Sequence, residues 1–102
     1  MINDKNLAKI KEVIKNIFPD CNTILFGSRS KGEFDSKSDY DILVIVKQHL
    51  NIKQKRQYAS IIMKNLAYLP LDVIVKTEED AHYYQDKIGS ITREAILNGV
   101  RI

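Results

Sequence analysis

The chain has 102 residues, 44% apolar and 28% charged, and its 16 Lys and Arg against 13 Asp and Glu leave a net charge of +3. Such a length fits one domain, residues 1–102, and such a balance belongs to globular chains rather than disordered or fibrous ones. The lone Cys21 excludes an internal disulfide and a cysteine-based zinc site, and so small a charge makes a weak electrostatic case for nucleic-acid binding.

No apolar signal core follows Met1, and the longest apolar run, residues 42–46, is far short of the roughly 20 residues of a membrane span, so the expected location is cytoplasmic. Leu7, Ile10, Val13, Ile14, Ile17 and Phe18 recur at helical spacing behind Asn3 or Asp4 as cap, and Pro19 stops that helix. The Thr-Ile-Leu-Phe run at 23–26 predicts a short strand ending at Gly27. Residues 28–38 are rich in Ser, Gly, Lys and Asp and predict a loop with one turn of helix; Asp35, Ser30 and Ser38 are read there as turn residues. Residues 41–46 form the clearest strand, apolar on both faces and therefore expected in the middle of a sheet. A second helix is expected to bury Tyr58, Ile61, Ile62, Leu66 and Leu69 and to end at Pro70, with Lys53, Lys55, Arg56 and Lys64 on its solvated side. A third strand follows at 71–75. Thr77 and Asp80 then have the spacing of a capping box for a helix closed by Gly89, and Ser90 opens a last helix through Ile91, Ala95, Ile96 and Leu97, closed by Gly99. Tyr83 and Tyr84 read as packing residues, one of them available to a partner, whereas His49, His82 and Cys21 earn no role. The sum is an α/β (α+β) domain with a small mixed sheet of three or four strands flanked by helices.

Three carboxylates fall where strands begin: Asp39 and Asp41 at the second, Asp72 at the third. An acid inside an apolar strand is costly unless something compensates its burial, and a cation is the usual answer. Two residues apart on an extended chain, Asp39 and Asp41 face the same side with Cα atoms roughly 6–7 Å apart. Hard oxygen ligands suit Mg2+ or Mn2+ rather than zinc. Gly27 and Ser28 follow the first strand directly, where a glycine lets a phosphate approach the backbone and the serine offers a hydroxyl. If the first two strands run antiparallel and the helical crossover makes the second and third parallel, all three acids meet the Gly-Ser turn at one edge. A P-loop is excluded, because Glu33 and Phe34 stand where Lys and Ser or Thr are required after Gly32.

Gly27-Ser28, ten intervening residues and then Asp39-Tyr40-Asp41 before an apolar strand resemble the DNA polymerase β-like nucleotidyltransferase superfamily, and within it the minimal nucleotidyltransferases of the antitoxin type. The resemblance extends to the Leu71-Asp72 strand and covers nearly the whole chain. It implies the polymerase β-like fold, Asp39, Asp41 and Asp72 as catalytic acids and metal ligands for two Mg2+ or Mn2+ ions, and Gly27 and Ser28 as holders of the triphosphate. The implied activity is transfer of a nucleoside monophosphate, AMP by expectation, from a nucleoside triphosphate (ATP) to an acceptor hydroxyl. A tyrosine on a helical HEPN-type toxin partner is the implied acceptor, the chain itself acting as antitoxin. Arg29 is either a phosphate-neutralising fork or a solvated surface residue. Since no further domain is evident to close over the acceptor, a homodimer or that helical partner is expected to complete the cleft. Two other functions compete: a contact-only module that neutralises its partner without turnover, and a small RNA-binding domain, which the absence of aromatics within the basic stretch from Lys47 to Arg56 disfavours.

Overall fold

The computed structural model describes residues 4–32 and 38–102. Asn3 and Asp35 lie outside the described residues. The first helix, α1 (Lys5–Ile17), is capped by Asp4, whose carboxylate accepts the Asn6 N–H at 2.8 Å, and it ends before Pro19 as its missing donor requires. The chain then forms β1 (Asn22–Phe26), a single 3₁₀ turn (Ser28–Lys31), β2 (Tyr40–Val46), α2 (Ile52–Asn65), β3 (Leu71–Thr77), α3 (Glu78–Tyr84), α4 (Ile91–Asn98) and β4 (Val100–Arg101).

The sheet order is β3-β2-β1-β4, with β1 antiparallel to both β2 and β4 and β2 parallel to β3. The expected directions therefore hold, and β2 sits in the interior of the sheet as its two apolar faces require. One face of β2, from Tyr40, Ile42, Val44 and Val46, packs with Val73 and Val75 under α1 and α2. The other, from Leu43 and Ile45, packs with Ile24 and Ala95, with Phe26, Ile74 and Ala81 alongside. Asp41 shares the parity of Leu43 and Ile45, so it lies on the α3–α4 face.

Several expected boundaries and faces differ. The second helix stops at Asn65, five residues before Pro70, because Leu66 and Leu69 close the connection through their own turn bonds (Leu66 N–H to Met63 O at 3.2 Å, Leu69 N–H to Leu66 O at 2.9 Å). Ile61, expected inside, is 45% exposed, since only the Ala59–Ile62 stripe faces the sheet. The third helix ends at Tyr84 rather than at Gly89, which instead lies in the turn before α4. In α4 only Thr92 and Ala95 are buried; Ile91, Ile96 and Leu97 are exposed because so short a helix meets the sheet with a single turn. Thr77 and Asp80 do make the reciprocal capping box, at 2.9 and 3.1 Å. The fourth strand is brought against β1 by Gly99, where a Cβ would stand 2.5 Å from an Ile24 methyl and 2.9 Å from the Leu25 carbonyl oxygen. Thr23 Oγ1 then donates to the Ile102 carbonyl at 2.8 Å. Among the described residues no helix is long and apolar enough to cross a membrane.

Candidate active site

Strand register assembles the site. Phe26 pairs with Asp41 across the antiparallel β1–β2 ladder, and Asp41 pairs with Asp72 across the parallel β2–β3 ladder. In-register neighbours share a face, so both carboxylates and the Phe26 ring lie side by side on the α3–α4 side, with Gly27 one step beyond. Asp39 stands immediately before β2 and is exposed, as is Asp72, whereas Asp41 is half-buried. All three acids come from the same edge of the sheet.

Gly27 has φ +75° and ψ −158°, a region open to glycine alone. A Cβ there would also stand 2.4 Å from Asp41 Oδ2. Two constraints thus demand the same residue, and the second shows that the Asp41 carboxylate lies directly against the turn. Ser28 opens the 3₁₀ turn with its side chain exposed. Ser30 makes the expected turn, its backbone N–H and Oγ both donating to the Gly27 carbonyl, at 3.2 and 2.7 Å.

Arg29 is no solvated surface residue: it is 9% exposed, its Nε donates to the Ser38 carbonyl at 2.8 Å, and its guanidinium lies 3.9 Å over the Tyr40 ring. The Tyr40 hydroxyl in turn donates to Asp4 Oδ2 at 2.8 Å and accepts from Asn6 Nδ2 at 3.1 Å. A column of side chains therefore ties the Gly-Ser turn, the residue preceding Asp39 and the start of α1 together. Sequence reasoning missed Tyr40, although its place between Asp39 and Asp41 puts it by alternation on the opposite, core-facing side.

Burial and then the neighbouring charges of Asp72 and Asp39 push the Asp41 carboxyl above the usual carboxylate range. Among the described residues, none of the three acids has an ion pair or a side-chain hydrogen bond, and no three acidic, histidine or cysteine side chains gather closely enough to form a ready-built metal cage. The chemistry of the donor set still fits a hard divalent cation: it is all carboxylate oxygen, and the negative charge that holds the Asp41 proton is what such a cation would offset.

Residues 7–98 match the nucleotidyltransferase domain family. A proposed protein adenylyltransferase of Methanocaldococcus jannaschii is 36% identical over an alignment covering 52% of this chain and 63% of that protein, so the chain spans less than two thirds of that relative. A chain from a toxin–antitoxin crystal structure with AMP-PNP has a TM-score of 0.62 at 21% identity, covering 96% of this chain and 72% of that one. A chain from a mutant of the MntA–HpeT toxin–antitoxin has a TM-score of 0.61 at 22% identity, covering 100% and 72%. Both carry the same fold, a mixed sheet flanked by helices. The match across nearly the full length, on a sheet whose register sets acids beside a Gly-Ser turn, makes this chain a member of the nucleotidyltransferase domain family.

Proposed function

We propose that residues 1–102 act as one catalytic domain that transfers a nucleoside monophosphate, AMP, from ATP to a hydroxyl acceptor. The observation that carries this reading is the register Phe26–Asp41–Asp72, which sets two carboxylates against the Gly27 turn at a single sheet edge.

In this reading Gly27 and Ser28 receive the triphosphate, the glycine by leaving the backbone uncovered and the serine through its exposed hydroxyl. Asp39, Asp41 and Asp72 hold Mg2+ or Mn2+, two ions, which when bound supply positive charge to the phosphate oxygens. Asp72, more exposed than Asp41, orients the acceptor hydroxyl and takes its proton. The acceptor oxygen bonds to the α-phosphorus, the bond to the β-phosphate breaks, and pyrophosphate leaves. Arg29 acts mainly by position, holding the Ser38 carbonyl next to Asp39, with its charge close enough to the turn to favour phosphate.

The acceptor is proposed to be a tyrosine of a HEPN-type helical toxin, which makes the chain an antitoxin. The names of the archaeal relative, a protein adenylyltransferase, and of the two toxin–antitoxin fold neighbours support the coarser part of this reading, a protein acceptor in a toxin partner. Exposed Tyr83, Ile88, Ile91 and Leu97 on and around α3 and α4 offer apolar surface to such a partner. The test is incubation with each α-labelled nucleoside triphosphate and Mg2+, with and without the protein encoded beside it. Label on the partner, dependent on Asp41, is expected; neutralisation of the partner without any label would favour the contact-only module.

A further inference from the structure

The sheet ends at β3, whose outer edge no other strand covers among the described residues. Tyr40 N–H donates to the Pro70 carbonyl at 2.7 Å and Tyr40 pairs with Leu71, which fixes the parity of the parallel ladder. Asp72, Ile74 and Lys76 turn their backbone N–H and C=O toward β2, and Leu71, Val73 and Val75 turn theirs outward. Thr77, next in the outward series, gives its N–H to Asp80 Oδ2 at 2.9 Å. The Lys55–Asp80 ion pair, at 2.8 Å, joins α2 to α3 at the same place. The edge is therefore closed at Thr77 and, among the described residues, unpaired from Leu71 to Val75.

A groove of about 540 Å3 follows that edge. Val73, Ile74, Val75 and Lys76 all line it; their side chains alternate between the two sheet faces, so what the four share with the groove is their main chain. Ile52 and Arg56 of α2 stand on one side and Tyr84 of α3 on the other. Ile52 is 65% exposed. Lys76 Nζ lies 5.3 Å from the centre of the Tyr84 ring, and neither Lys76 nor Arg56 has an acidic partner among the described residues. The groove is thus apolar and basic together.

We propose that it receives an extended segment of a partner protein as a fifth strand, with apolar side chains under α2 and an acidic one opposite Lys76. Outward N–H and C=O groups at strand spacing are what an added strand bonds, and the alternate side chains then give specificity. On the α2 side an added residue meets Val73, Val75 and Ile52, which suits a valine or isoleucine. On the α3 side it meets Ile74 and Lys76, where a carboxylate pairs with the lysine across the strands. A second copy of this chain does not fit the same edge. α2 packs chiefly on β3, and strands paired about 4.8 Å apart would bring the helices over the two copies closer than the roughly 8–10 Å that packed helices need. A bare strand brings no helix with it and lies beneath the overhang.

The test is fluorescence anisotropy of the full chain with the labelled peptide Val-Thr-Val-Glu-Val-Thr-Val and with the same peptide carrying Lys for Glu. The wild type should bind the Glu peptide roughly 3- to 10-fold more tightly, and Lys76→Glu should reverse that order. Two N-methylated forms of the Glu peptide, methylated on every valine amide or on every Thr and Glu amide, test the backbone bonds on the unaltered protein. Alternate amides of a strand point to opposite edges, so one form should keep its affinity and the other should lose at least about tenfold. Equal affinity for the Glu and Lys peptides, an order unchanged in Lys76→Glu, or two methylated forms that bind alike overturns the proposal. Sedimentation showing a dimer that the Glu peptide dissociates would give the edge to a second copy and overturn it as well.

Discussion

At one end of the parallel β2–β3 pair, Asp41 and Asp72 face each other in register with no basic partner among the described residues; at the other, just beyond Thr77, Asp80 is surrounded by donors. Burial pushes the Asp80 carboxyl up, but a hydrogen bond from Lys55 Nζ at 2.8 Å and others from Thr77 outweigh it and hold the group below the ordinary range. For Asp41, burial and two neighbouring carboxylates all act upward. The same residue type at the two ends of that pair, in the strands at one and in the first turn of α3 at the other, thus has opposite surroundings. Asp80 has its charge answered inside the fold, whereas Asp41 has no such answer there and, in the function proposed above, keeps its oxygens for a ligand.

The largest test of that contrast is Asp41→Asn. If the unanswered charge is there to hold cations, this change should cut nucleotidyl transfer by several kcal/mol of barrier, roughly a thousandfold, with the melting temperature unchanged or raised. Transfer assays with the partner check it, and full turnover would erase the distinction between the two ends.

Next in size is Ser28→Ala, which should weaken triphosphate binding by about 1.5–3 kcal/mol, the worth of a hydrogen bond to a charged group. Gly27→Val should do more harm, since any Cβ meets Asp41 Oδ2 and the φ of +75° strains a branched residue. Calorimetry reads both.

Asp80→Ala should give the reverse profile of Asp41→Asn. Losing the cap and the partly buried pair with Lys55 should cost about 0.5–2 kcal/mol in urea melts, with transfer per folded molecule unchanged.

The smallest effect is in pH dependence without metal. The folded pKa of Asp41 is raised, so its contribution to stability is present below its unfolded pKa and lost as pH rises through the folded value. The folded pKa of Asp80 is lowered, so its contribution is present above its unfolded pKa and lost as pH falls through the folded value. Asp72→Asn removes one of the charges acting on Asp41, and should stabilise the metal-free protein at neutral pH by less than about 1 kcal/mol. Mg2+ should raise the wild-type melting temperature and raise that of Asp72→Asn less. Thermal melts across roughly pH 3–7, with and without Mg2+, measure all of this.

Much of this arrangement was legible in the residues. Alternation and β-branching located the three main strands, Thr77 and Asp80 announced a cap by their spacing, and Gly27 with the two acids of the Asp39-Tyr40-Asp41 segment marked the edge where chemistry is proposed. These are short-range signals, set by backbone geometry and by which side of a strand or helix a residue takes. Periodicity could not say what a face meets. Ile61, Ile91, Ile96 and Leu97 have helical spacing and remain in solvent, because the sheet is narrow and each helix touches it along one stripe. Arg29, with an exposed residue on one side and a half-buried one on the other, goes inward only because the Tyr40 ring and the Ser38 carbonyl are there to receive its cation.

By itself, then, the chain determined its local elements, the glycine that its turn requires and the acids that open two strands, since each depends on neighbours a few residues away. Only the tertiary structure decided that Asp41 stands beside Asp72 and against Gly27, that residues 100–101 form a fourth strand on β1, and that a groove follows the edge of β3 between α2 and α3. Those contacts join segments far apart in sequence, and they are selected by strand register and by the burial of both sheet faces together, which no short stretch of residues encodes.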